Sequence, residues 1–200
     1  MHDEKIQKPA RSSQAIAALA LNYFLAQKEN SGIRRQGWEK PKEGFVKLNI
    51  DAAFSSETFS GGSGAVIRDD RGLFIAASCS GIPNVRDAAT AEARALRDGL
   101  ILASQIGCTR IEVESDCSEV VEIMQDGGNS LGPAAAIYEE CSFLSRGFGQ
   151  VIFMHTPREN NTVAHCIASL ASGSHTVVWH EDPLDCIIGL LANDVTLVNV

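Results

Sequence analysis

Three acidic residues occupy positions from which carboxylates can act together: Asp51, midway along an alternating stretch, Glu92, inside a helix-periodic stretch, and Asp116, at the end of a short alternating one. Clustered carboxylates repel one another and lose hydration, so a protein that gathers them needs cations to offset the repulsion. Hard oxygen ligands select Mg²⁺ or Mn²⁺. Two such ions sharing a carboxylate activate a water molecule and stabilise the leaving oxygen of a phosphodiester. Each acid also has an ordinary reading: Asp116 as a helix N-cap, Glu92 as a surface ion-pair partner, Asp51 as a strand-edge residue. The elements that carry them decide whether they converge.

Residues 45–54 alternate, with Val46, Leu48, Ile50, Ala52 and Phe54 on one face and Lys47, Asn49 and Asp51 on the other, as a strand with one apolar face requires. Gly61-Gly62-Ser63-Gly64 leads into a second apolar run, Asp70-Arg71-Gly72 supplies a turn, and LFIAASCS returns, which predicts a β-hairpin. From Val85 to Ile106 the period changes, with Ala89, Ala93, Leu96, Leu100 and Ala103 forming a helical stripe that Gly107 ends. Glu92 flanks that stripe and can point at a sheet. RIEVES (110–115) is a short strand, and Asp116 with Glu119 three residues on resembles a capping box opening a helix. Pro133–Leu144 reads as a helix, residues 150–155 as a strand and Asn161–Ala171 as a closing helix.

The resulting order is β-β-β-α-β-α-α-β-α. Three antiparallel strands followed by alternating helices and strands imply an α/β fold, a mixed five-stranded sheet with flanking helices. The organisation expected is an N-terminal helical or linker segment over 1–37, one domain over 38–173, and a segment over 174–200 whose apolar stretch after Pro183 forms a helix appended outside the main core.

The charge is the awkward fact, because a net −8 leaves no overall positive field for phosphate. It is unevenly spread, at +3 over 1–44, −7 over 45–173 and −4 over 174–200. Cations bound to the acids reconcile that balance with an anionic substrate. The longest apolar run, Ala15–Ala26, is shorter than the roughly 18 residues of a membrane span and contains Asn22. Lys5, Lys8 and Arg11 precede it as in an export or transit signal, but Asp3 and Glu4 argue against both. Six cysteines without a C-x-x-C pair indicate neither a zinc site nor a disulfide framework, so a reducing compartment, nucleus or cytoplasm, is expected.

The blocks WEKPKEGFVKLNIDAAF, GGSGAVIRDDRG, AEARALRDGL, IEVESD and PRENNTVAHCIASLA, running in order from about Trp38 to Ala171, resemble the plant ribonuclease H-type domain found with reverse transcriptases of mobile elements. The resemblance implies a ribonuclease H-like fold, hydrolysis of the RNA strand of RNA–DNA hybrids, and Asp51, Glu92 and Asp116 as the first three metal-binding carboxylates. It also implies a fourth carboxylate early in the last helix, in a motif resembling N-x-x-A-D. This chain has Asn161-Thr162-Val163-Ala164-His165 instead. Neutral imidazole prefers softer metals, and imidazolium repels a second ion, so His165 implies an incomplete two-ion site and weakened turnover, with Mn²⁺ favoured over Mg²⁺.

Around that centre, Arg158 and Asn161 lie where a loop enters the last helix and can meet phosphate, while Asn can also cap the helix. Asn49 shares the face of Asp51 and can orient it or touch a sugar hydroxyl. His155, ending its strand, reads as structural or exposed, and His165 either lines the site or sits on the helix surface. Two alternatives to a hybrid-cleaving endonuclease follow. One is a catalytically inactive nucleic-acid-binding domain, and the other a protein-interaction module derived from a retroelement that keeps only the fold.

Overall fold

The computed structural model describes residues 37–171 and 173–197, so the segment expected over 1–37 lies, but for its last residue, outside the described residues. The three leading strands are β1 (Val46–Ser55), β2 (Ser60–Arg68) and β3 (Phe74–Ile82). They pair antiparallel in sequence, with Asp51 opposite Gly64 and Gly64 opposite Cys79. The β2–β3 turn closes on Asp69, whose Oδ1 accepts the backbone N–H groups of Arg71 (3.0 Å) and Leu73 (2.7 Å).

Helix α1 (Ala88–Gln105) starts three residues later than the apolar period suggests, because the Asp87 side chain caps it by accepting from Thr90 N. It is followed by β4 (Arg110–Ser115), α2 (Ser118–Gln125), α3 (Ala135–Ser145), β5 (Gln150–His155), a single 3-10 turn (Arg158–Asn160) and α4 (Thr162–Leu170). β4 lies parallel to β1 and β5 parallel to β4, as the connecting helices require.

The five-stranded expectation is corrected at the C-terminal end. Residues 176–180 form a sixth strand, β6 (Thr176–His180), antiparallel to β3, giving the order β5-β4-β1-β2-β3-β6. Backbone pairing with β3 suffices to hold this short, largely exposed edge strand, which needs no alternating apolar pattern of its own. Helix α5 (Asp185–Leu197) packs on a smaller cluster separate from the main one, where Ile187 is fully buried among Val66, Ala77, Cys79, Val163, Ala164 and Ile167. Burying one such side chain stabilises by about 1.5–3 kcal/mol.

The two larger of three apolar clusters among the described residues flank the sheet. Leu48 and Ile50 point to the larger, filled by Leu96 and Leu100 of α1, Val120 and Met124 of α2 and Tyr138 and Cys141 of α3. The other face of β1 carries Lys47, Asn49 and Asp51 towards α4 and α5. Among the described residues, no helix is long and apolar enough to cross a membrane.

The polar stripe of β1 is mostly buried. Lys47 Nζ contacts Glu114 Oε1, lies 3.6 Å from Glu112 Oε2 and donates to the Glu39 carbonyl at 2.7 Å. Arg68 pairs with Asp194 of α5 at 2.6 Å, and its guanidinium lies 3.5 Å over the ring of Trp38. Buried charges persist only where partners and hydrogen bonds replace water, and this network supplies both.

Candidate active site

Asp51 stands on the polar face of β1 where the stripe reaches the end of the sheet. Opposite it, Gly64 has no side chain, and that gap lets α4 lie directly on β2. A Cβ at Gly64 would sit 2.4 Å from the Ala164 carbonyl oxygen and 2.4 Å from Ala168 N. Close packing of α4 on β2 thus brings His165, one helical turn after Asn161, against the strand. His165 Nδ1 is 2.7 Å from Asp51 Oδ2, with the His165 side chain 43% exposed.

Asn161 fixes the start of α4. Its Nδ2 donates to the Ile50 carbonyl at 2.8 Å and reaches Asp116 Oδ1 at 3.4 Å. Its side chain does not cap α4, and at 1% exposure it is closed to nucleic acid, so the expected phosphate contact by this side chain is withdrawn. The amide is drawn inward because the Ile50 carbonyl, buried under the helix, needs a donor.

Asp116 does not open α2 as a cap. Cys117 takes the N-cap position without a side-chain bond, its N–H donating to Ser115 Oγ at 3.1 Å, which leaves the Asp116 carboxylate beside Asn161. His155, at the end of β5, has Nε2 3.3 Å from the Asp116 carbonyl oxygen and is exposed. Arg158 is exposed in the 3-10 turn, and its charge reaches Glu92.

Glu92 comes from the second turn of α1. Burial pushes its carboxyl up to about 8, the charges of Asp51 and Asp116 push the same way, and the Ala52 N–H and Arg158 pull back. Its Oε2 is buried with no hydrogen-bond partner. Burial likewise raises Asp51 to about 6, opposed by the hydrogen bond from His165 and reinforced by Asp116. Three elements therefore bring Asp51, Glu92 and Asp116 within each other's fields, with His165 and Arg158 at the margin.

Asn49 is not among them. It is 1% exposed, its Oδ1 accepts from Trp38 Nε1 (2.9 Å) and Arg68 Nη2 (2.8 Å), and its Nδ2 donates to Glu114 Oε2 (2.9 Å). The polar face of a strand looks the same in sequence whether water or a buried network covers it, and here the network does. The sugar contact expected of Asn49 is therefore withdrawn. Sequence reasoning missed that Glu112, Glu114 and Lys47 belong to this network rather than to the surface; two acids facing a lone lysine on neighbouring strands was the available signal.

A mixed sheet of this order with helices on both faces, and carboxylates from β1, α1 and the end of β4 at one place, defines the ribonuclease H-like class. Within it the chain belongs to the reverse transcriptase-like family, which matches residues 49–171. An Arabidopsis thaliana protein whose name calls it a ribonuclease H protein is 29% identical over 160 residues, covering 78% of this chain. The chain spans 26% of that relative's length.

Among solved structures, the N-terminal RNase H domain of a Mycobacterium tuberculosis protein, fused to maltose-binding protein, is 28% identical with a TM-score of 0.59, covering 63% of this chain and 91% of that one. LC11-RNase H1 in complex with an RNA/DNA hybrid, at 22% identity and a TM-score of 0.58, covers 63% of this chain and 95% of that one and shares the fold.

The fold family implies a divalent cation, and the donor chemistry fits one. The three carboxylates are hard oxygen donors, two of them held above their ordinary range by burial and mutual repulsion, and Glu92 Oε2 has no other partner. Among the described residues, no three His, Cys, Asp or Glu side chains already stand at the spacing of a closed metal cage. Asp51, Glu92 and Asp116 would hold the ion, and the His165 imidazole engages one of the Asp51 oxygens, Oδ2.

Proposed function

We propose that this domain binds RNA–DNA hybrids and hydrolyses the RNA strand with a divalent cation, Mg²⁺ or Mn²⁺, at a rate reduced by His165. The observation that carries this reading is the convergence of the elements bearing Asp51, Glu92 and Asp116, with Asn161 Nδ2 joining the Ile50 carbonyl, next to Asp51, to Asp116 Oδ1. When bound, such a cation lowers the pKa of an attacking water and stabilises charge on the phosphodiester. The protein's own residues do the rest. Arg158 meets substrate phosphate beside Glu92, and Asn161 ties β1 to Asp116 so that two of the ligands keep their spacing. His165 holds Asp51 Oδ2, fixing the carboxylate while removing one of its oxygens from ligand duty.

Residues 38–173 form the proposed ribonuclease H-like unit. A reducing location, nucleus or cytoplasm, is proposed from the spacing of the six cysteines, which form no C-x-x-C pair.

The test uses labelled RNA–DNA hybrid with Mg²⁺ or Mn²⁺. The unmodified chain is expected to cleave slowly, faster with Mn²⁺. Asp116→Asn should lose about 100-fold or more, and His165→Asp should gain about 10-fold or more. A competing reading, a domain that binds hybrid without cutting it, is favoured by the 2.7 Å contact between His165 and Asp51. It prevails if the unmodified chain shows salt-dependent hybrid binding and no divalent-dependent cleavage while His165→Asp cuts. Absence of both binding and cleavage in all three proteins sinks both readings.

A further inference from the structure

One end of the sheet keeps an open edge. β6 is last in the strand order, and among the described residues no strand lies beyond it. Gly81 N–H donates to the His175 carbonyl at 3.3 Å and Glu181 N–H to the Ile75 carbonyl at 3.0 Å. With Cys79 opposite Val177 and Ala77 opposite Trp179, antiparallel alternation turns the backbone groups of His175, Val177, Trp179 and Glu181 towards β3. Those of Thr176, Val178 and His180 therefore face away from the sheet. The His180 carbonyl accepts from Asp182 N–H at 2.7 Å, which leaves it one further lone pair.

The opposite edge of the sheet differs, since Gln125 of α2 covers β5 by donating to the Phe153 carbonyl at 2.8 Å. Between Thr176 and His180 stands none of the usual deterrents to edge pairing, a lysine, a proline or a bulge. Thr176, Val177, Val178 and Trp179 are instead β-branched or aromatic, types that favour pairing. Val177 and Val178 are 45% and 37% exposed.

We propose that β6 is a self-association edge, through which two copies of this chain pair antiparallel about a two-fold axis and join their sheets into one. The backbone sets the register, because only outward-facing residues can exchange bonds, and pairing centred on Val178 matches all of them. Val178 bonds Val178 of the second copy, and Thr176 pairs with His180, whose carbonyl accepts through its remaining lone pair. Side chains agree with that register. Val177 falls opposite Trp179 of the second copy, on the face where Trp179 packs against the smaller apolar cluster, so an exposed valine gains an aromatic cover. One residue further out, His175 of one copy meets Glu181 of the other, an imidazole against a carboxylate, so the acids that follow β6 do not face each other. Although each copy carries −8, no Asp, Glu, Lys or Arg lies within the paired stretch. This complementarity of the strand with itself selects a second copy as the partner. The contact consumes β6 of both copies and so stops at a dimer. The acidic centre takes no part in it.

The test is sedimentation velocity of the full chain from about 1 µM to about 500 µM, with hydrogen exchange followed at both ends of that range. The expected result is a monomer giving way to a species of twice its mass and nothing larger, with peptides covering 176–180 exchanging about 5-fold or more slowly in the concentrated protein. Val178→Lys and Val178→Glu each set like charges against one another across the axis and should stay monomeric, while an equimolar mixture of the two should recover a dimer. Val178→Pro removes an outward N–H that β3 does not use and should also stay monomeric. Circular dichroism checks that the variants fold, and the mass and exchange of the unmodified chain decide the matter where one does not. The proposal is overturned if the unmodified chain stays monomeric throughout, if the dimer persists in both charged variants, if mixing the folded variants restores nothing, or if association runs on to larger species. Protection of β6 that does not change with concentration, the mark of an edge covered within one chain, overturns it as well.

Discussion

Glu92 shows most directly what assembling the acids costs. Burial and the fields of Asp51 and Asp116 lift its carboxyl from the ordinary 4.5 to about 8, so between those pH values the folded protein keeps a proton that the unfolded chain releases. Stability from this group therefore falls as pH rises through that window, and Asp51, lifted from 3.8 to about 6, acts in the same direction over a narrower one. The expected outcome, in EDTA, is a melting temperature that declines from pH 5 to 8.5. Glu92→Gln should flatten the decline and raise the melting temperature at pH 8. Mg²⁺ should stabilise more at pH 8 than at pH 6, because ligation needs the deprotonated carboxylate. Differential scanning fluorimetry across pH reads all three, and a Glu92→Gln slope matching the unmodified protein's would refute the assignment.

At the scale of elements, the site depends on how closely α4 approaches the sheet. Gly64 makes this approach possible, and its neighbours at the contact are backbone atoms that cannot swing aside. Gly64→Ala should therefore cost roughly 1–3 kcal/mol in urea unfolding and push α4 outward, lengthening the His165–Asp51 contact. The same substitution at Gly107, where nothing lies within 4 Å, strains only its positive φ, so α4 stays in place. The element pattern explains how much was legible. β1, α1 and β4 each turn an apolar face to the larger cluster, which leaves a period in the sequence even where, on β1 and β4, the polar face is buried as well. β6 is short, exposed and held by backbone pairing, and so leaves none.

Across the whole molecule, the chain's C-terminal helix is fastened from β2 by the buried Arg68–Asp194 pair. Asp194→Ala leaves an unpaired buried guanidinium and should cost about 3–5 kcal/mol, whereas replacing the pair together, with Arg68→Met and Asp194→Leu, should recover most of it. Urea unfolding followed by the fluorescence of Trp38 and Trp179 compares them. Equal losses in the single and double variants would show that the pair's geometry, rather than the stranded charge, is what matters. Because the pair is nearly closed to water, the loss should persist in high salt, unlike that of a surface ion pair. On the proposed function, the overall −8 charge would confine phosphate recognition to local features such as Arg158 and cations at the acidic centre.

The sequence by itself determined the ribonuclease H-like fold, the elements carrying Asp51, Glu92 and Asp116, and the replacement of an expected acid by His165, because periodicity and ordered motifs are local properties of the chain. Tertiary structure alone decided which polar residues face water. Asn49 and Asn161 read as surface contacts but are buried, since the partner of Asn49, Glu114, lies on β4 and that of Asn161, the Ile50 carbonyl, on β1. It also decided that Asp51 and His165, separated by 114 positions, meet at 2.7 Å. Burial and such distant pairing depend on how helices pack across the sheet, and local sequence does not record that.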